Sequence, residues 1–141
     1  MPSVTESIEI NATPKKCYEV ITDYEAYPEF LGNLKTVTVS QKKGESCEIT
    51  YEIDLIKTIS YTLKMNGKPP KKIEWSFVKG DIMKDNHGHW VLEEVKKGVT
   101  KATYELNIEL GLFVPGAITK RLVGKNLPEM LASFKKRIEG M

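Results

Sequence analysis

The sequence has few of the residues on which most metal sites and many catalytic sites depend. It contains two cysteines and two histidines in 141 residues. The cysteines form no Cys-x-x-Cys pair, and two thiols cannot build the disulfide framework of a small secreted domain. Neither a Gly-x-Ser-x-Gly nucleophile elbow nor a phosphate-binding glycine loop is present. We therefore assign no catalytic residue, no metal and no cofactor from the sequence.

Charge of one sign and long apolar runs are also missing. The net charge is +2, with acidic and basic residues interspersed, whereas nucleic-acid-binding proteins usually carry a clustered basic face. The densest basic run, Lys68 to Lys72, is expected to be a solvated turn, with a phosphate or an anionic surface as the alternative contact. No run is long enough to span a bilayer, and the N-terminus has no apolar signal core. We expect a cytoplasmic protein without a nucleic-acid partner.

Much of the chain alternates between apolar and polar residues with a period of two, which is typical of a sheet with one face in water. Four segments share this pattern, and their apolar faces carry Cys47, Ile49, Tyr51, Ile53 and Leu55; Ile59, Tyr61, Leu63 and Met65; Ile73, Trp75 and Phe77; and Ala102, Tyr104, Leu106, Ile108 and Leu110. Short turns separate them, which predicts an antiparallel meander of about six or seven strands. With 40% apolar residues, we expect a single domain over residues 1–141.

Helical patterns flank this sheet. Thr13 is a suitable N-cap and Pro14 suits a first turn, so we predict a short helix over roughly residues 14–23. The tail from Pro115 onward carries an apolar stripe at helical spacing: Ile118, Leu122, Leu127, Leu131, Phe134 and Ile138. This stripe predicts a long C-terminal helix that covers the concave face of the sheet. The fold class is therefore α+β, with one or two short helices after the first strand.

The predicted C-terminal helix contains Gly124 and Pro128, two residues that a helix interior tolerates poorly. Proline removes a backbone hydrogen bond and clashes one turn back, at a cost of about 3 kcal/mol in a regular interior. One interpretation is a bent helix that opens a mouth beside the concave face. The alternative is that Pro128 starts a second helix, with Asn126 as its cap.

One cluster of polar residues and one cysteine have a possible chemical role. Asp85, His87 and His89 alternate, so on a strand they share a face, and a His-x-His pair can bind a metal. We favour a polar hairpin, because no fourth ligand is apparent. Cys17 is a possible nucleophile, but a cysteine on the apolar face of a helix is more often a core residue.

The face of the sheet that the tail covers is rich in aromatic residues, including three tyrosines. Buried tyrosine hydroxyls need partners, and several of them on one concave apolar surface suit a cavity for a small molecule. The predicted ligand-binding residues are Tyr51, Ile53, Tyr61, Leu63, Trp75, Phe77, Trp90, Leu92, Tyr104, Leu106, Ile118, Leu122, Leu127 and Leu131.

The order of these elements, together with particular residues, resembles a known superfamily. The residues that carry the resemblance near the N-terminus are Ala12, Pro14, Val20, Asp23, Tyr27, Pro28, Phe30, Leu31, Val37 and Val39. The segments GDIMKDNHGHWVLEEV and VPGAITKRLVGKNLPEMLASFKKRIE continue it. They resemble the START-like (SRPBCC) helix-grip superfamily, in particular the polyketide cyclase/dehydrase-like family, which includes coenzyme Q-binding proteins and the ribosome-association toxin.

The resemblance implies three functions. The favoured one is binding of a lipid-, quinone- or polyketide-like molecule between the sheet and the last helix. The second is a polyketide cyclase or dehydratase. The third is contact with the ribosome, or with a membrane surface, through residues expected to be exposed, Tyr24, Tyr27, Phe30, Lys135, Lys136 and Arg137. A nearly neutral chain is a poor ribosome ligand on electrostatic grounds.

Overall fold

The computed structural model describes residues 3–32, 34–54, 57–111, 114, 116–120 and 126–141. Within this part of the chain, the strands are β1 (Ser3–Ile10), β2 (Leu34–Lys43), β3 (Ser46–Asp54), β4 (Thr58–Lys68), β5 (Lys72–Gly80), β6 (Met83–Lys96) and β7 (Val99–Leu110). The helices are α1 (Pro14–Ile21), a 3₁₀ helix (Tyr24–Glu29), α2 (Gly116–Thr119) and α3 (Asn126–Glu139). Among the described helices, none is both long enough and apolar enough to cross a membrane.

The strands form one curved antiparallel sheet in the order β1-β7-β6-β5-β4-β3-β2. Strands β2 to β7 follow one another as a meander, and β1 returns to the far edge, where it pairs with β7 along its whole length. The connection from β1 to β2 carries α1 and the 3₁₀ helix. The expected antiparallel sheet of about six or seven strands is therefore confirmed, with seven strands in the described residues, six of them in the meander.

The period-two pattern correctly separates the two faces of the sheet. In β3, Cys47, Ile49, Tyr51 and Ile53 are buried, and the residues between them are half-buried. Leu55, expected to continue this face, lies outside the described residues. Because every second side chain points inward, the sheet presents one continuous apolar face that another layer must cover.

Helix α1 begins as its sequence predicts. The Thr13 Oγ1 accepts a hydrogen bond from the Lys16 N–H at 3.2 Å, and Pro14 occupies the first turn. The helix ends at Ile21, two residues earlier than expected, and the Thr22 hydroxyl donates to the Tyr18 carbonyl oxygen at 2.8 Å. This early end allows the chain to enter the 3₁₀ helix.

The 3₁₀ helix corrects one expectation. Tyr24 and Tyr27 are 8% and 7% exposed, so they are core residues and not parts of an exposed contact surface. The Tyr27 hydroxyl donates a hydrogen bond to the Ile21 carbonyl oxygen. The Tyr27 ring also packs edge-on against Phe134 of α3, with ring centroids 5.2 Å apart. The 3₁₀ helix thereby joins α1 to the last helix.

The C-terminal region contains a short and a long helix in the described residues. Pro128 is the third residue of α3 as described, from Asn126 onward. Residues 121–125, which would decide between a bent helix and a second helix that starts beside Pro128, lie outside the described residues. The apolar stripe is confirmed where it is described, since Ile118, Leu127, Leu131, Phe134 and Ile138 are all buried. Leu122 and Gly124 lie outside the described residues.

The polar segment around the histidines is not a hairpin, contrary to expectation. It lies inside β6, which runs without a break from Met83 to Lys96. The turn comes before it, between Gly80 and Met83. Asp85, His87 and His89 are on the outer face of this strand, whereas Asn86 and Trp90 are buried on the inner face.

Gly88, between the two histidines, leaves room for the Trp75 side chain beside β6. The two residues are paired in the β5–β6 ladder. A Cβ at Gly88 would lie 2.0 Å from the Glu105 carbonyl oxygen and 2.8 Å from Cζ2 of Trp75. Only glycine leaves this space, so the position of the indole ring depends on it.

Gly88→Ala is expected to lower the free energy of unfolding by about 1–3 kcal/mol, because the added methyl group overlaps backbone that a sheet cannot easily move. Urea denaturation measures the change. Gly32→Ala is the control, because a Cβ there meets nothing within 4 Å. Equal stability of the two variants would contradict the packing described for Trp75.

Candidate functional site

A cavity of about 270 Å³ lies between the inner face of the sheet and α3. Its lining residues come from the 3₁₀ helix and the segment after it, from strands β2 to β7, and from α3. They are Tyr27, Leu31, Gly32, Leu34, Tyr51, Ile53, Tyr61, Leu63, Met65, Trp75, Met83, Asn86, Trp90, Tyr104, Leu106, Ile108, Leu127, Glu129, Met130, Ser133 and Phe134. The cavity thus lies between the two layers that form the core.

The volume indicates the size of molecule that fits. An apolar cavity of about 150 Å³ takes up benzene, and ligand pockets for larger molecules range from about 300 to 1,000 Å³. The present cavity falls between these values. We therefore expect a molecule of about two fused rings to fill it without movement of the backbone.

Many of the residues predicted from the sequence meet at this cavity: Tyr51, Ile53, Tyr61, Leu63, Trp75, Trp90, Tyr104, Leu106 and Leu127. Leu92 and Leu131 are buried in the surrounding core. Ile118 packs in a separate cluster with Ile53 and Ile59, and Phe77 is half-buried against the core. Leu122 is outside the described residues.

Other lining residues were not predicted, for different reasons. Met65, Ile108 and Phe134 belong to apolar faces that the sequence shows, so periodicity alone could have selected them. Met83 could not be found in this way, because a shift of register between Met83 and Asp85 changes the face on which it lies. A β-bulge of this kind has no reliable sequence signal.

The cavity opens where α3 approaches the segment after the 3₁₀ helix. Gly32 and Glu129 line the cavity and are exposed, and Leu31, Met130 and Ser133 beside them are half-buried. This mouth lies at the first turns of α3. It is close to the point at which the sequence interrupts the predicted long helix.

Aromatic rings in contact form one wall. The Tyr104 ring lies 5.1 Å from that of Trp75 and 5.0 Å from that of Trp90, between centroids. Trp90 in turn contacts Phe134 at 5.3 Å. Such pairs add stability beyond their buried area, so this wall is rigid compared with one of aliphatic side chains.

A pair of tyrosines lines the cavity on strands β3 and β4. Tyr51 and Tyr61 are partners in the β3–β4 ladder, and their ring centroids lie 5.2 Å apart. Among the hydrogen bonds of the described residues, none involves the phenolic oxygens of Tyr51, Tyr61 or Tyr104. All the fully enclosed polar side-chain atoms in that part of the chain have partners. Tyr51, Tyr61 and Tyr104 line the cavity, so their phenols can meet groups inside it.

Burial keeps these phenols neutral. It raises the pKa of Tyr61 to about 12 and raises the pKa of Tyr104 further, with a smaller repulsion from Tyr61. The pKa of Tyr51 is also raised well above its ordinary value, first by burial and then by the neighbouring tyrosines. At neutral pH each phenol can donate one hydrogen bond and accept others.

Asn86 is the buried amide of the cavity, at 5% exposure. Its Oδ1 accepts a hydrogen bond from the Trp75 Nε1–H at 3.0 Å. Its Nδ2 donates to the Met83 thioether sulfur at 3.6 Å. Amide and phenol groups supply polarity without charge. Among the described lining residues, Glu129 at the mouth is the one that is charged at neutral pH.

The histidine cluster and Cys17, the two features considered from the sequence, do not line the cavity. On the outer face, His87 Nδ1 lies 2.8 Å from Asp85 Oδ2, and His89 Nδ1 lies 3.5 Å from Glu105 Oε2. No group of three or more potential metal ligands occurs in the described part of the chain. Cys17 is fully buried, and burial raises the pKa of its thiol, which is the behaviour of a core residue.

The phenols predict a loss of stability in alkali. Between the unfolded-chain pKa of about 10 and the folded value of about 12 for Tyr61, the folded state holds a proton that the unfolded state has released. The free energy of unfolding should therefore fall by about 1.4 kcal/mol per pH unit for this residue as the pH rises. Urea denaturation from about pH 9.5 to about pH 11 should show a shallower fall for Tyr61→Phe than for the wild type. Identical slopes would contradict burial of this phenol.

The comparisons with known proteins agree with this architecture. The Zhui aromatase/cyclase from Streptomyces sp. R1128 superposes with a TM-score of 0.87 at 12% identity, over 98% of this chain and 93% of that chain. A START superfamily protein from Mycobacterium smegmatis gives 0.84 at 19% identity, over 98% and 97%. A STAR-related lipid transfer protein from Xanthomonas axonopodis gives 0.78 at 11% identity, over 96% and 85%.

These structural likenesses show the fold, which is the helix-grip fold of the START-like superfamily. No curated protein matches the sequence. Residues 10–135, however, match the family described as polyketide cyclase / dehydrase and lipid transport. That match spans most of the sheet, α1 and the greater part of α3. The chain belongs to the polyketide cyclase/dehydrase and lipid transport family.

Proposed function

We propose that the protein binds an uncharged, largely apolar small molecule in the cavity between the sheet and α3. The observation that carries the proposal is the cavity itself, about 270 Å³ enclosed mainly by aromatic and aliphatic side chains. The ligand would be lipid-, quinone- or polyketide-like. Lipid transfer and aromatase/cyclase proteins among the structural neighbours support this class of ligand.

The polarity of the lining supports a neutral ligand. Removing an ionised group from water into an apolar interior is costly unless an opposite charge meets it. The interior lining that is described offers amide and phenol groups instead, and its acid, Glu129, lies at the mouth. A neutral ring system can therefore enter fully, and its few oxygen atoms can bind the phenols.

A variant that fills the cavity should lose binding. Leu106 lines the cavity and is 7% exposed. Leu106→Trp would therefore place an indole ring in the space that the ligand needs. Titration with N-phenyl-1-naphthylamine, a neutral probe that fluoresces in apolar surroundings, should give a Kd at least about tenfold weaker than that of the wild type, or about 1.4 kcal/mol.

Val78→Trp is the matched control, because Val78 is 42% exposed and does not line the cavity. It should bind the probe like the wild type. The proposal would be rejected if the wild type bound neither this probe nor tetralin, a smaller neutral hydrocarbon. Equal binding by Leu106→Trp and Val78→Trp would place the probe outside the cavity.

Cyclisation of a polyketide chain is the second candidate function. The observation in its favour is that the phenols of Tyr51, Tyr61 and Tyr104 face one cavity and stay protonated, so they could donate hydrogen bonds to the oxygen atoms of a folded substrate and stabilise charge that develops there. Single Tyr→Phe variants should then lower turnover of an aromatic polyketide precursor about 10²-fold or more while substrate binding persists. Unchanged turnover in all three variants would remove this candidate.

Ribosome contact has weaker support. Two residues on which that interpretation depends, Tyr24 and Tyr27, are buried. Lys135 is bound to the Glu9 carbonyl oxygen and to Glu139, and Arg137 to Glu29. These side chains already have partners in the folded chain, so they present less free charge to an anionic surface than the sequence suggests.

A further inference from the structure

Asn86 reaches the cavity through a local irregularity of β6. The register of the β6–β7 ladder shifts between Met83 and Asp85, so Met83 and Asn86, three residues apart, are both buried on the inner face. Gly88, two residues further along, leaves the space in which the Trp75 indole lies. The irregular strand and the glycine together place one amide next to one indole.

The indole fixes the orientation of this amide. The Trp75 Nε1–H can only donate a hydrogen bond. The Asn86 atom 3.0 Å from it must therefore be the acceptor, Oδ1. Reversing the amide would bring two donors together in a buried site, at a cost comparable to a lost hydrogen bond on each side. Asn86 consequently presents Nδ2, a donor, to the rest of the cavity lining.

This donor has spare capacity. Nδ2 carries two N–H groups, and the Met83 sulfur at 3.6 Å is a weak acceptor that can take one of them. The hydrogen bonds among the described residues assign no other acceptor to Nδ2. A buried N–H without a good acceptor favours a ligand that brings one.

The phenols do not select in the same way. A tyrosine hydroxyl donates and accepts, so Tyr51, Tyr61 and Tyr104 can bind an alcohol, an amine or a carbonyl equally. Because Oδ1 of Asn86 faces the Trp75 indole, the amide offers the ligand Nδ2, which can only donate. Nδ2 therefore distinguishes a ligand that can accept a hydrogen bond from one that cannot.

We infer that Asn86 determines specificity by donating a hydrogen bond from Nδ2 to an uncharged carbonyl oxygen, so the preferred ligands are ketones, quinones or esters rather than hydrocarbons or carboxylates. This inference rests on the proposed function, because it assigns a chemical class to the ligand of the same cavity. Trp75 is a positioning residue for the amide.

The test compares two bicyclic probes, 1-tetralone and tetralin, which share a ring skeleton and differ in one carbonyl group. Calorimetric titration of the full chain gives a Kd for each. Asn86→Leu should lower the ratio of tetralone to tetralin affinity by about tenfold, the value of one hydrogen bond. The ratio cancels any general effect of the substitution on the cavity.

Val78→Leu is the control, because Val78 is 42% exposed and does not line the cavity. Its affinity ratio should stay within about twofold of the wild type. Should Asn86→Leu also leave the ratio unchanged while both probes bind, the inference fails and the proposed function stands. Should neither probe bind the wild type, both fail together.

A second test uses the wild type alone, so its result does not depend on whether a variant folds. The side-chain amide of Asn86 gives a pair of proton–nitrogen correlations in nuclear magnetic resonance spectra of the labelled protein. Saturation with tetralone should move one amide proton downfield, as a new hydrogen bond to a carbonyl does, and tetralin should not. Equal shifts with both probes would overturn the assignment of Asn86 as a donor to the ligand.

Discussion

The packing of Phe134 against three aromatic rings fixes the position of the last helix, and the cavity depends on that position. Its ring centroid lies 5.2 Å from that of Tyr27, 5.2 Å from that of Phe30 and 5.3 Å from that of Trp90. These contacts tie α3 to the 3₁₀ helix and to the centre of the sheet. Since all of them are edge-on, the rings interlock rather than slide. The space beside them stays open because rigid rings on both sides hold the two layers apart.

The chemistry of this space follows from its burial. Phenols and an amide remain neutral in an apolar interior, whereas a carboxylate or an ammonium group would shift its pKa or need a counter-charge. The described lining accordingly supplies hydrogen bonds without charge, and the acidic Glu129 lies where water can reach it. Such an interior selects a ligand by its shape and by the positions of the few oxygen atoms that the ligand carries.

The sequence predicts the layers well because burial on one face imposes a period on each element. The strands, the short first helix and the apolar stripe of the tail were all visible in this way, and so was the inward face with Tyr51, Tyr61 and Tyr104. The misses have local causes. The bulge at Met83 changes the face of a side chain without a sequence signal. The segment around His87 looks like a polar turn because Asp85, His87 and His89 point outward and the buried residue Asn86 is polar too.

Periodicity also cannot say whether a core is filled. It predicts that Leu63, Leu92, Leu106 and Leu131 all point into the space between the sheet and the helix. Only Leu63 and Leu106 of these four line the cavity. That difference arises from the curvature of the sheet and the position of α3, which depend on contacts between distant residues. Tyr27 shows the same limit, since its burial requires Phe134, more than a hundred residues away in the chain.

The most direct test of this account is a crystal structure determined under xenon pressure, because xenon occupies apolar cavities that water leaves empty. The account predicts an anomalous peak in contact with Leu63, Leu106 and Ile108, beneath α3. A map in which side chains close that space, with xenon bound nowhere between the sheet and the helix, would contradict it.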